Sequence, residues 1–204
     1  MTVSPQMIAM NKHDTQLRDL IHVERGIIPA NLCEYLVEDI ENKDWRPHTW
    51  YNAQANSFGS EETMELDVLN VTPEQQQLLT PFMIQAGAAY NAIYAFQCER
   101  TAQMMNKFSS LRFNRYGPGQ IMRQHHDHIH SLFDGNEKGI PVLSFILNLN
   151  DDYEGAELFF WDNYTLPIPL GKGDIIMFPS LFLFPHGVTE ATKGKRYSAV
   201  SWAW

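Results

Sequence analysis

The sequence predicts an α+β fold in which an all-β core is flanked by helices from the first half of the chain. From residue 108 onwards, short segments rich in β-branched and aromatic residues alternate with glycine, proline and acidic turns, which is typical of strands. In the first half, two segments instead repeat apolar residues at helical spacing. No helical segment separates the later strands, so the pattern predicts an antiparallel sandwich or jelly roll.

Length and composition indicate one globular domain. The chain has 204 residues, of which 44% are hydrophobic, and this is enough to enclose a single core. We divide the domain into an N-terminal extension (1–25), a front of helices and loops (26–106) and a β core (107–204). No internal repeat or low-complexity segment interrupts it.

Two helices are predicted in the front. The first runs from about Asn31 to Glu41, and the second from an N-cap at Thr72, followed by a proline, to about Ala95. Each has an apolar stripe that we expect to pack on a sheet. The stripe residues are Leu32, Tyr35, Leu36 and Ile40, then Leu79, Phe82, Met83, Ala86, Ala89, Tyr90 and Ile93. Residues 46–70 lack a clear period and predict loops and an edge strand.

Seven strands are predicted in the β core, each short and bounded by turn-forming residues. Short antiparallel strands of this kind pair through tight turns, so the core needs no crossover helix. The predicted strands are Phe108–Tyr116, Gln120–His125, Val142–Leu149, Leu158–Trp161, Ile175–Phe178, Gly187–Val188 and Arg196–Trp202.

Charge, cysteine content and hydropathy disfavour several classes of protein. The formal net charge of −9 argues against binding a phosphate backbone, which needs clustered lysine and arginine. The two cysteines, Cys33 and Cys98, make no disulfide framework and favour a reducing compartment. No apolar run approaches the roughly 18 residues of a transmembrane helix, and residues 1–20 contain no signal-peptide core. We therefore expect a cytoplasmic protein that binds neither nucleic acid nor membrane.

The strongest functional signal is His125-x-Asp127, followed later in the chain by His186. Side chains alternate along a strand, so His125 and Asp127 can face the same ion. Two imidazoles and one carboxylate on adjacent strands form a facial triad that leaves coordination positions open. This ligand set is typical of non-haem Fe(II) oxygenases, so we predict these three residues as metal ligands.

Alternation also distinguishes His125 from the histidines around it. His126, His128 and His130 fall on the opposite face of the predicted strand. Taken alone, the histidine-rich run also fits a solvated loop or a zinc-binding tract. The later His186 favours the triad, because a loop would not need that partner.

Arg196-x-Ser198 is the second half of the signal. An arginine offers a planar, bidentate fork to a carboxylate, and 2-oxoglutarate has a carboxylate to spare when it chelates a metal. Ser198 lies two residues on, hence on the same face, and can add a hydroxyl hydrogen bond. The competing interpretations are a surface salt bridge for Arg196 and a packed core histidine for His186.

The stretch from Phe108 to Trp204 resembles the Fe(II)/2-oxoglutarate dioxygenases and, within them, the prolyl 4-hydroxylase-like group. The matching segments, in family order, are RYGPGQ (115–120) before His125-x-Asp127, LSFILNLN (143–150), GAELFF (155–160), GDIIMFPS (173–180), PHGV (185–188) and GKRYS (194–198) through Trp202. The resemblance implies a double-stranded β-helix, a jelly roll with metal ligands near one open end and helices buttressing the major sheet.

The same resemblance implies the chemistry. Fe(II) is held by His125, Asp127 and His186, 2-oxoglutarate chelates the iron, and O₂ takes the remaining position, with ascorbate as an accessory reductant. Oxidative decarboxylation then gives succinate and CO₂ while a C–H bond of the substrate is hydroxylated. The cofactors carry the difficult step, and the protein supplies ligands and orientation.

The resemblance also assigns the cosubstrate pocket. Arg196 is expected to pair with the C5 carboxylate of 2-oxoglutarate. Tyr116 stands where related hydroxylases place a tyrosine against the cosubstrate, although an aromatic filling the barrel explains it equally well. Several prolyl hydroxylases have a tyrosine where this chain has Asn148, so Asn148 either substitutes for it or leaves the pocket wetter.

The substrate implied by the resemblance is a prolyl residue in a peptide or protein. Two segments are candidate lids, the Gly- and Asp-rich hairpin 131–140 and residues 45–59 with Trp50 and Tyr51. Both also fit ordinary variable surface loops. A free amino acid or another small metabolite is the competing substrate.

Three other classes of protein share part of this pattern. Nucleobase-demethylating dioxygenases have a second arginine where this chain has Trp202, and a halogenase variant would lack the carboxylate of Asp127. A non-catalytic jelly-roll metal-binding protein would keep the histidines but would need neither Arg196 nor Ser198. It is retained as an alternative.

Overall fold

The computed structural model describes residues 16–52, 57–59, 65–94, 105, 107–127, 139–161 and 165–204. Within these ranges the chain forms two α-helices, α1 (Ala30–Glu41) and α2 (Pro73–Tyr94), and a 3-10 helix at Leu17–Leu20. The strands are β1 (His22–Glu24), β2 (Arg46–Pro47), β3 (Trp50–Asn52), β4 (Ser57–Gly59), β5 (Asp67–Asn70), β6 (Arg112–Tyr116), β7 (Met122–His125), β8 (Leu143–Asn148), β9 (Glu154–Gly155), β10 (Leu158–Phe160), β11 (Leu166–Ile168), β12 (Ile175–Pro179), β13 (His186–Val188), β14 (Ala191–Lys193) and β15 (Arg196–Ala203).

Most strands belong to two antiparallel sheets that enclose an apolar cluster drawn from both. The larger sheet has seven strands in the order β1-β12-β8-β15-β6-β5-β2, and the smaller has four in the order β11-β10-β13-β7. β9 pairs with β14, and β3 pairs with β4. The predicted α+β class, a jelly roll with flanking helices, is confirmed.

The larger sheet has two unlike faces because its side chains alternate. In β8, Leu143, Phe145 and Leu147 belong to the apolar cluster that also contains the buried residues of α1 and α2. We call this the helix face. The intervening Ser144 and Ile146 line a cavity between the two sheets. We call that side the inner face, and in β6, β8 and β15 it consists of Arg112, Asn114, Tyr116, Ser144, Ile146, Asn148, Arg196, Ser198, Val200 and Trp202.

α1 packs on the helix face through Cys33, Leu36 and Ile40, all of which are buried. The predicted stripe is therefore right at Leu36 and Ile40 but wrong at Tyr35, which is 56% exposed. The buried side of the helix runs through Cys33 instead, three residues before Leu36 and so directly beneath it on the helix surface.

α2 begins with the predicted N-cap. The backbone N–H of Gln75 donates to Thr72 Oγ1 at 3.3 Å, and the Gln75 side chain accepts from the Thr72 N–H at 2.9 Å, which is a reciprocal capping box. Leu79, Met83 and Tyr90 of the predicted stripe are buried. Neither of the described helices combines the length and apolarity that crossing a membrane requires.

Several short strands of the structure are not predicted from the sequence. β1 lies in the segment taken as an N-terminal extension, yet it pairs with β12 at the edge of the larger sheet. The 46–70 segment contributes two strands to that sheet, β2 and β5, and a separate hairpin of β3 and β4, where a single edge strand was expected. Strands of two to four residues are too short to display a two-residue period.

Candidate metal centre

His125, Asp127 and His186 converge in the cavity between the sheets. β7 and β13 pair so that His125 lies opposite His186. The Asp127 carboxylate lies 3.6 Å from Nε2 of His125 and 3.8 Å from Nε2 of His186. One potential ligand atom from each residue falls within 4.8 Å of the others, and no other group of three such side chains does so in the described part of the chain.

The local backbone brings these side chains together in a way that strand alternation explains only in part. β7 ends at His125, so Asp127 is supplied by the chain just beyond the strand and not by the strand itself. Gly187 lets β13 fit tightly between its neighbours, because a Cβ there would lie 2.7 Å from both the Met122 carbonyl oxygen and the Phe159 ring. His126 is exposed, whereas residues 128–130 lie outside the described residues.

Backbone carbonyls orient both imidazoles toward the shared centre. His125 Nδ1 lies 2.8 Å from the Arg123 carbonyl oxygen, and His186 Nδ1 lies 3.0 Å from that of Phe184. A carbonyl oxygen only accepts, so each Nδ1 carries the proton and each Nε2 presents a lone pair. Histidines that ligate metals in proteins are commonly fixed in this way through their other ring nitrogen.

The carboxylate is held by a two-serine relay. Ser144 on β8 donates its hydroxyl to Asp127 Oδ2 at 2.5 Å, and Ser144 Oγ lies 2.6 Å from Ser180 Oγ just after β12. Both serines are buried, so their hydrogen bonds do not compete with bulk water. Neither serine is marked by a local sequence pattern, because the contact depends on pairing between strands distant in sequence.

Two of the three candidate ligands are in the protonation state that binds a metal near neutral pH. Burial would raise the pKa of Asp127, but the charges of His186 and His125 and the Ser144 hydroxyl hold it well below its usual range. Burial lowers the pKa of His186 to about 4 despite the opposing influence of Asp127. Asp127 is therefore ionised and His186 neutral, which is the form in which each binds a metal.

Arg196 is buried on the inner face and held in place by two acceptors. Its Nε donates to Asn148 Oδ1 at 2.9 Å and its Nη1 to the Ala156 carbonyl oxygen at 3.1 Å, and its exposure is 1%. The surface salt bridge considered as its alternative is excluded by this burial. Nη2 has no acceptor among the described residues and is therefore available to an incoming carboxylate.

The other predicted cosubstrate residues surround Arg196. Tyr116 lies opposite it in the β6–β15 pairing, and the guanidinium carbon is 5.7 Å from the centre of the phenol ring. Ser198, two residues along β15, is buried on the same face. Asn148 also donates to the carbonyl oxygen of Asn150 at 2.7 Å. Its side chain is therefore held in place itself while its oxygen accepts from Arg196.

Arg112 is a cavity residue that the sequence analysis did not single out. It lines the same cavity as the triad, and its guanidinium carbon lies 5.8 Å from the centre of the Trp202 ring. Its spacing from Tyr116 on one predicted strand already put it on that face, but nothing local marked it as functional. Burial lowers the pKa of Arg112 while nearby Tyr116 and Asp127 oppose the shift, and an arginine stays charged under such conditions.

The structure describes each of the two candidate lids only in part. Of the predicted hairpin 131–140, only residues 139 and 140 are described. In the 45–59 segment, β3 and β4 form a hairpin, and the side chains of Trp50 and Tyr51 lie outside the described part. Their roles as lids stay predictions.

Comparison by sequence finds similarity over the β core. Residues 111–204 match the family model described as the 2OG-Fe(II) oxygenase superfamily. A PKHD-type hydroxylase from Idiomarina loihiensis is 39% identical over 92 residues, which cover 44% of this chain and 39% of that protein. The chain spans about two fifths of the length of the curated relatives it matches.

Comparison by structure gives the same architecture over most of the chain. A viral collagen prolyl hydroxylase from Paramecium Bursaria Chlorella virus-1, in its 2OG complex, has a TM-score of 0.63 and 16% identity, covering 90% of this chain and 94% of that one. A prolyl hydroxylase from Trichoplax adhaerens, in complex with a hypoxia inducible factor oxygen degradation domain peptide fragment, has a TM-score of 0.66 and 14% identity, covering 91% and 83%. At these identities the likeness is one of fold.

Proposed function

We propose that this chain is an Fe(II)- and 2-oxoglutarate-dependent hydroxylase, because residues 111–204 match the family model described as the 2OG-Fe(II) oxygenase superfamily. The observation that carries the proposal is the group of His125, Asp127 and His186, whose ligand atoms face one another in the cavity. The fixed Nδ1 hydrogen bonds, the ionised Asp127 and the buried Arg196 on the same inner face support it.

The donor set fits Fe(II). Two imidazoles and one carboxylate make a triad that leaves coordination positions for other ligands, and this arrangement distinguishes oxygenase sites from closed structural zinc sites. Ser144 holds one oxygen of Asp127, so the carboxylate is prevented from rotating away from the histidines. The contact with Ser180 extends that restraint to β12.

When bound, Fe(II), 2-oxoglutarate and O₂ supply the oxidising power that converts a C–H bond to C–OH, with succinate and CO₂ as coproducts. His125, Asp127 and His186 hold the iron. Arg196 orients the far carboxylate of 2-oxoglutarate through a charge-assisted hydrogen bond, worth about 1.5–3 kcal/mol. Ascorbate would serve as a reductant, and none of these four residues is assigned to it.

Apolar side chains complete the cavity and exclude water from the reacting atoms. Leu158 on β10 and Val188 on β13 contribute from the smaller sheet, and Ile146 contributes from β8. Exclusion of water strengthens each charged interaction within the site. It also protects the activated centre from side reactions.

We propose a prolyl residue in a peptide or protein as the substrate. Support comes from the names of the relatives, among them a prolyl 4-hydroxylase of Arabidopsis thaliana, and from the peptide bound to the Trichoplax adhaerens enzyme. The competing substrate is a free amino acid or another small metabolite. A non-catalytic metal-binding role is the remaining alternative, and it predicts no turnover at all.

The test is incubation with Fe(II), 2-oxoglutarate, O₂ and a panel of proline-containing peptides and free amino acids. We expect succinate release and, for one class of compound, a gain of one oxygen by mass spectrometry. His186→Ala should release no succinate. His126→Ala serves as the matched control, because it also removes a histidine, but an exposed one next to the metal-ligand candidate His125. Equal succinate from wild type and His186→Ala would overturn the proposal.

A further inference from the structure

We infer that Arg112 binds a carboxylate of the primary substrate, so that the substrate is a carboxylic acid ionised close to the carbon that is hydroxylated. The inference deepens the proposed function and rests on it, since it concerns the second organic ligand of the same cavity. It is carried by the position of Arg112 on the inner face, by the partners of its guanidinium and by the neighbouring carboxylates.

Arg112 and Arg196 stand at opposite ends of the inner face. Arg196 pairs with Tyr116 across β6 and β15, whereas Arg112 pairs with Val200. Four residues of antiparallel strand separate the two positions, or about 14 Å along the sheet. The two carboxyl groups of 2-oxoglutarate are joined by only four C–C bonds, less than about two residues of extended backbone. In the proposed binding mode one carboxyl of 2-oxoglutarate chelates the iron and the other pairs with Arg196, so neither is left for Arg112.

Arg112 shares its end of the cavity with the metal ligands. Ser144, which holds Asp127, pairs with Trp202 across β8 and β15, and Arg112 lies over the Trp202 ring. His125, Asp127 and Arg112 all line one cavity. A group bound to Arg112 would consequently lie beside the iron position, where the substrate must present its C–H bond.

The guanidinium is oriented but not neutralised by the described residues. Its Nε donates to Asn114 Oδ1 at 3.1 Å, which fixes the plane of the group. Neither terminal nitrogen has a hydrogen-bond acceptor among the described residues, and no described carboxylate lies within 4.0 Å of it. A half-buried cation with a free pair of terminal N–H groups matches the planar geometry of a carboxylate.

Two carboxylates near the cavity have other partners. Asp127 accepts from Ser144 and faces both triad histidines. Glu65 lies 3.1 Å from His48 Nδ1. Because both acids are engaged elsewhere, an anion brought by the substrate is the natural partner for Arg112, and the Trp202 ring provides a flat wall for its carbon skeleton.

The carboxylate can come from a free amino acid, from the C-terminus of a peptide or from an acidic side chain beside the target residue. Three matched pairs of probes separate these sources. They are L-proline and L-prolinamide, Gly-Pro and Gly-Pro amide, and the capped dipeptides Ac-Pro-Glu-NH₂ and Ac-Pro-Gln-NH₂. Within each pair the carbon skeleton is almost the same and only the negative charge changes.

Binding is measured by anaerobic calorimetry on the Fe(II)- and 2-oxoglutarate-loaded protein, so that no turnover is needed. We expect the wild type to bind the acid of at least one pair about 10- to 100-fold more tightly than its amide. Arg112→Gln should abolish that preference, Arg112→Lys should keep part of it, and Arg112→Glu should favour the amide. The pair that responds identifies the source of the carboxylate.

Arg115→Gln is the matched control. Arg115 lies on the same strand but its guanidinium pairs with Asp67 at 2.8 Å and does not line the cavity, so the preference for the acid should persist. Equal binding of acid and amide in all three wild-type pairs overturns the inference. So does a preference that survives in Arg112→Gln, or a loss of 2-oxoglutarate affinity in that variant without any change in the preference.

Succinate release measured in parallel keeps the two proposals distinguishable. Succinate production without an acid preference would support the proposed hydroxylase and contradict the proposed role of Arg112. An Arg112-dependent acid preference without succinate production would contradict the proposed function and support the carboxylate site at Arg112.

Discussion

The helix face and the inner face of the larger sheet are built from alternate residues of the same strands, yet they differ in kind. In β15, Tyr197 and Ala199 pack into the apolar cluster under the helices, while Arg196 and Ser198 are buried on the opposite, inner face. Burying a charged or hydroxyl group costs free energy unless partners compensate. The composition of the helix face is thus explained by packing, and the buried polar groups of the inner face are explained by chemistry.

The largest effect is expected at the inner face from Asp127→Ala. Loss of one of three metal ligands should abolish Fe(II)-dependent 2-oxoglutarate turnover, because the remaining two imidazoles bind the ion weakly. The fold should persist, since Asp127 belongs to neither apolar cluster. Succinate release and thermal melting are the measurements. Normal decarboxylation of 2-oxoglutarate in the variant would remove Asp127 from the site.

Phe145→Ala makes the opposite change, on the helix face. Phe145 is fully buried and stacks edge-on against Phe108 with ring centres 5.5 Å apart. The free energy of unfolding should fall by about 3–5 kcal/mol, the usual cost of truncating a buried phenylalanine. Urea denaturation measures the loss, and metal titration of the folded protein should give the wild-type stoichiometry. Loss of metal binding without loss of stability would contradict the division between the faces.

Arg196→Ala tests the far end of the inner face. It leaves the carboxylate of 2-oxoglutarate unpaired in a partly desolvated pocket, and the apparent KM for 2-oxoglutarate should rise about 10- to 1000-fold. Arg196→Lys should rescue only part of the loss, because an ammonium lacks the planar fork and the bond to Asn148. An unchanged KM in the alanine variant would move the carboxylate site elsewhere.

Ser144→Ala probes the support of the metal ligands. Removal of the hydroxyl that restrains Asp127 should weaken metal binding about 10- to 100-fold, the range typical for groups that orient a ligand. Ser180→Ala, one hydrogen bond further away, should have a smaller effect in the same competition titration against a chelator. A larger effect from Ser180 than from Ser144 would reverse the proposed order of the relay.

The smallest effect is expected from His126→Ala. His126 lies between two metal-ligand candidates in the sequence, but its side chain is exposed. Its removal should therefore leave metal affinity and turnover close to wild type. Isothermal titration with Fe(II) under nitrogen checks this directly. A loss equal to that of Asp127→Ala would mean that the assignment of faces around residue 125 is shifted by one position.

Features encoded by local pattern were predictable from the sequence. The apolar stripe and N-cap of α2 and the long strands β8 and β15 follow from periodicity and from capping and turn residues. The motif His125-x-Asp127 and the later His186 identified the three residues that the structure brings together. These features can be predicted because the residues that encode each strand, helix or motif lie close together in the sequence.

Features that depend on long-range register were not predictable. Ser180 contacts Ser144 because β8 and β12 pair in one register, and Ser144 in turn donates to Asp127. Arg112 has no local motif, and its closeness to Trp202 follows from the pairing of β6 with β15. β1 is too short to show a period and is stabilised by its neighbour β12.

The central claim is that the inner face holds one Fe(II) through His125, Asp127 and His186 and one 2-oxoglutarate through Arg196. Anaerobic titration with Fe(II) in the presence of 2-oxoglutarate tests it most directly, because chelation of Fe(II) by a 2-oxo acid produces visible charge-transfer absorption. We predict that the absorption saturates at one equivalent of Fe(II) in the wild type and is absent in His186→Ala. No absorption in the wild type, or the same absorption in His186→Ala, would contradict the claim.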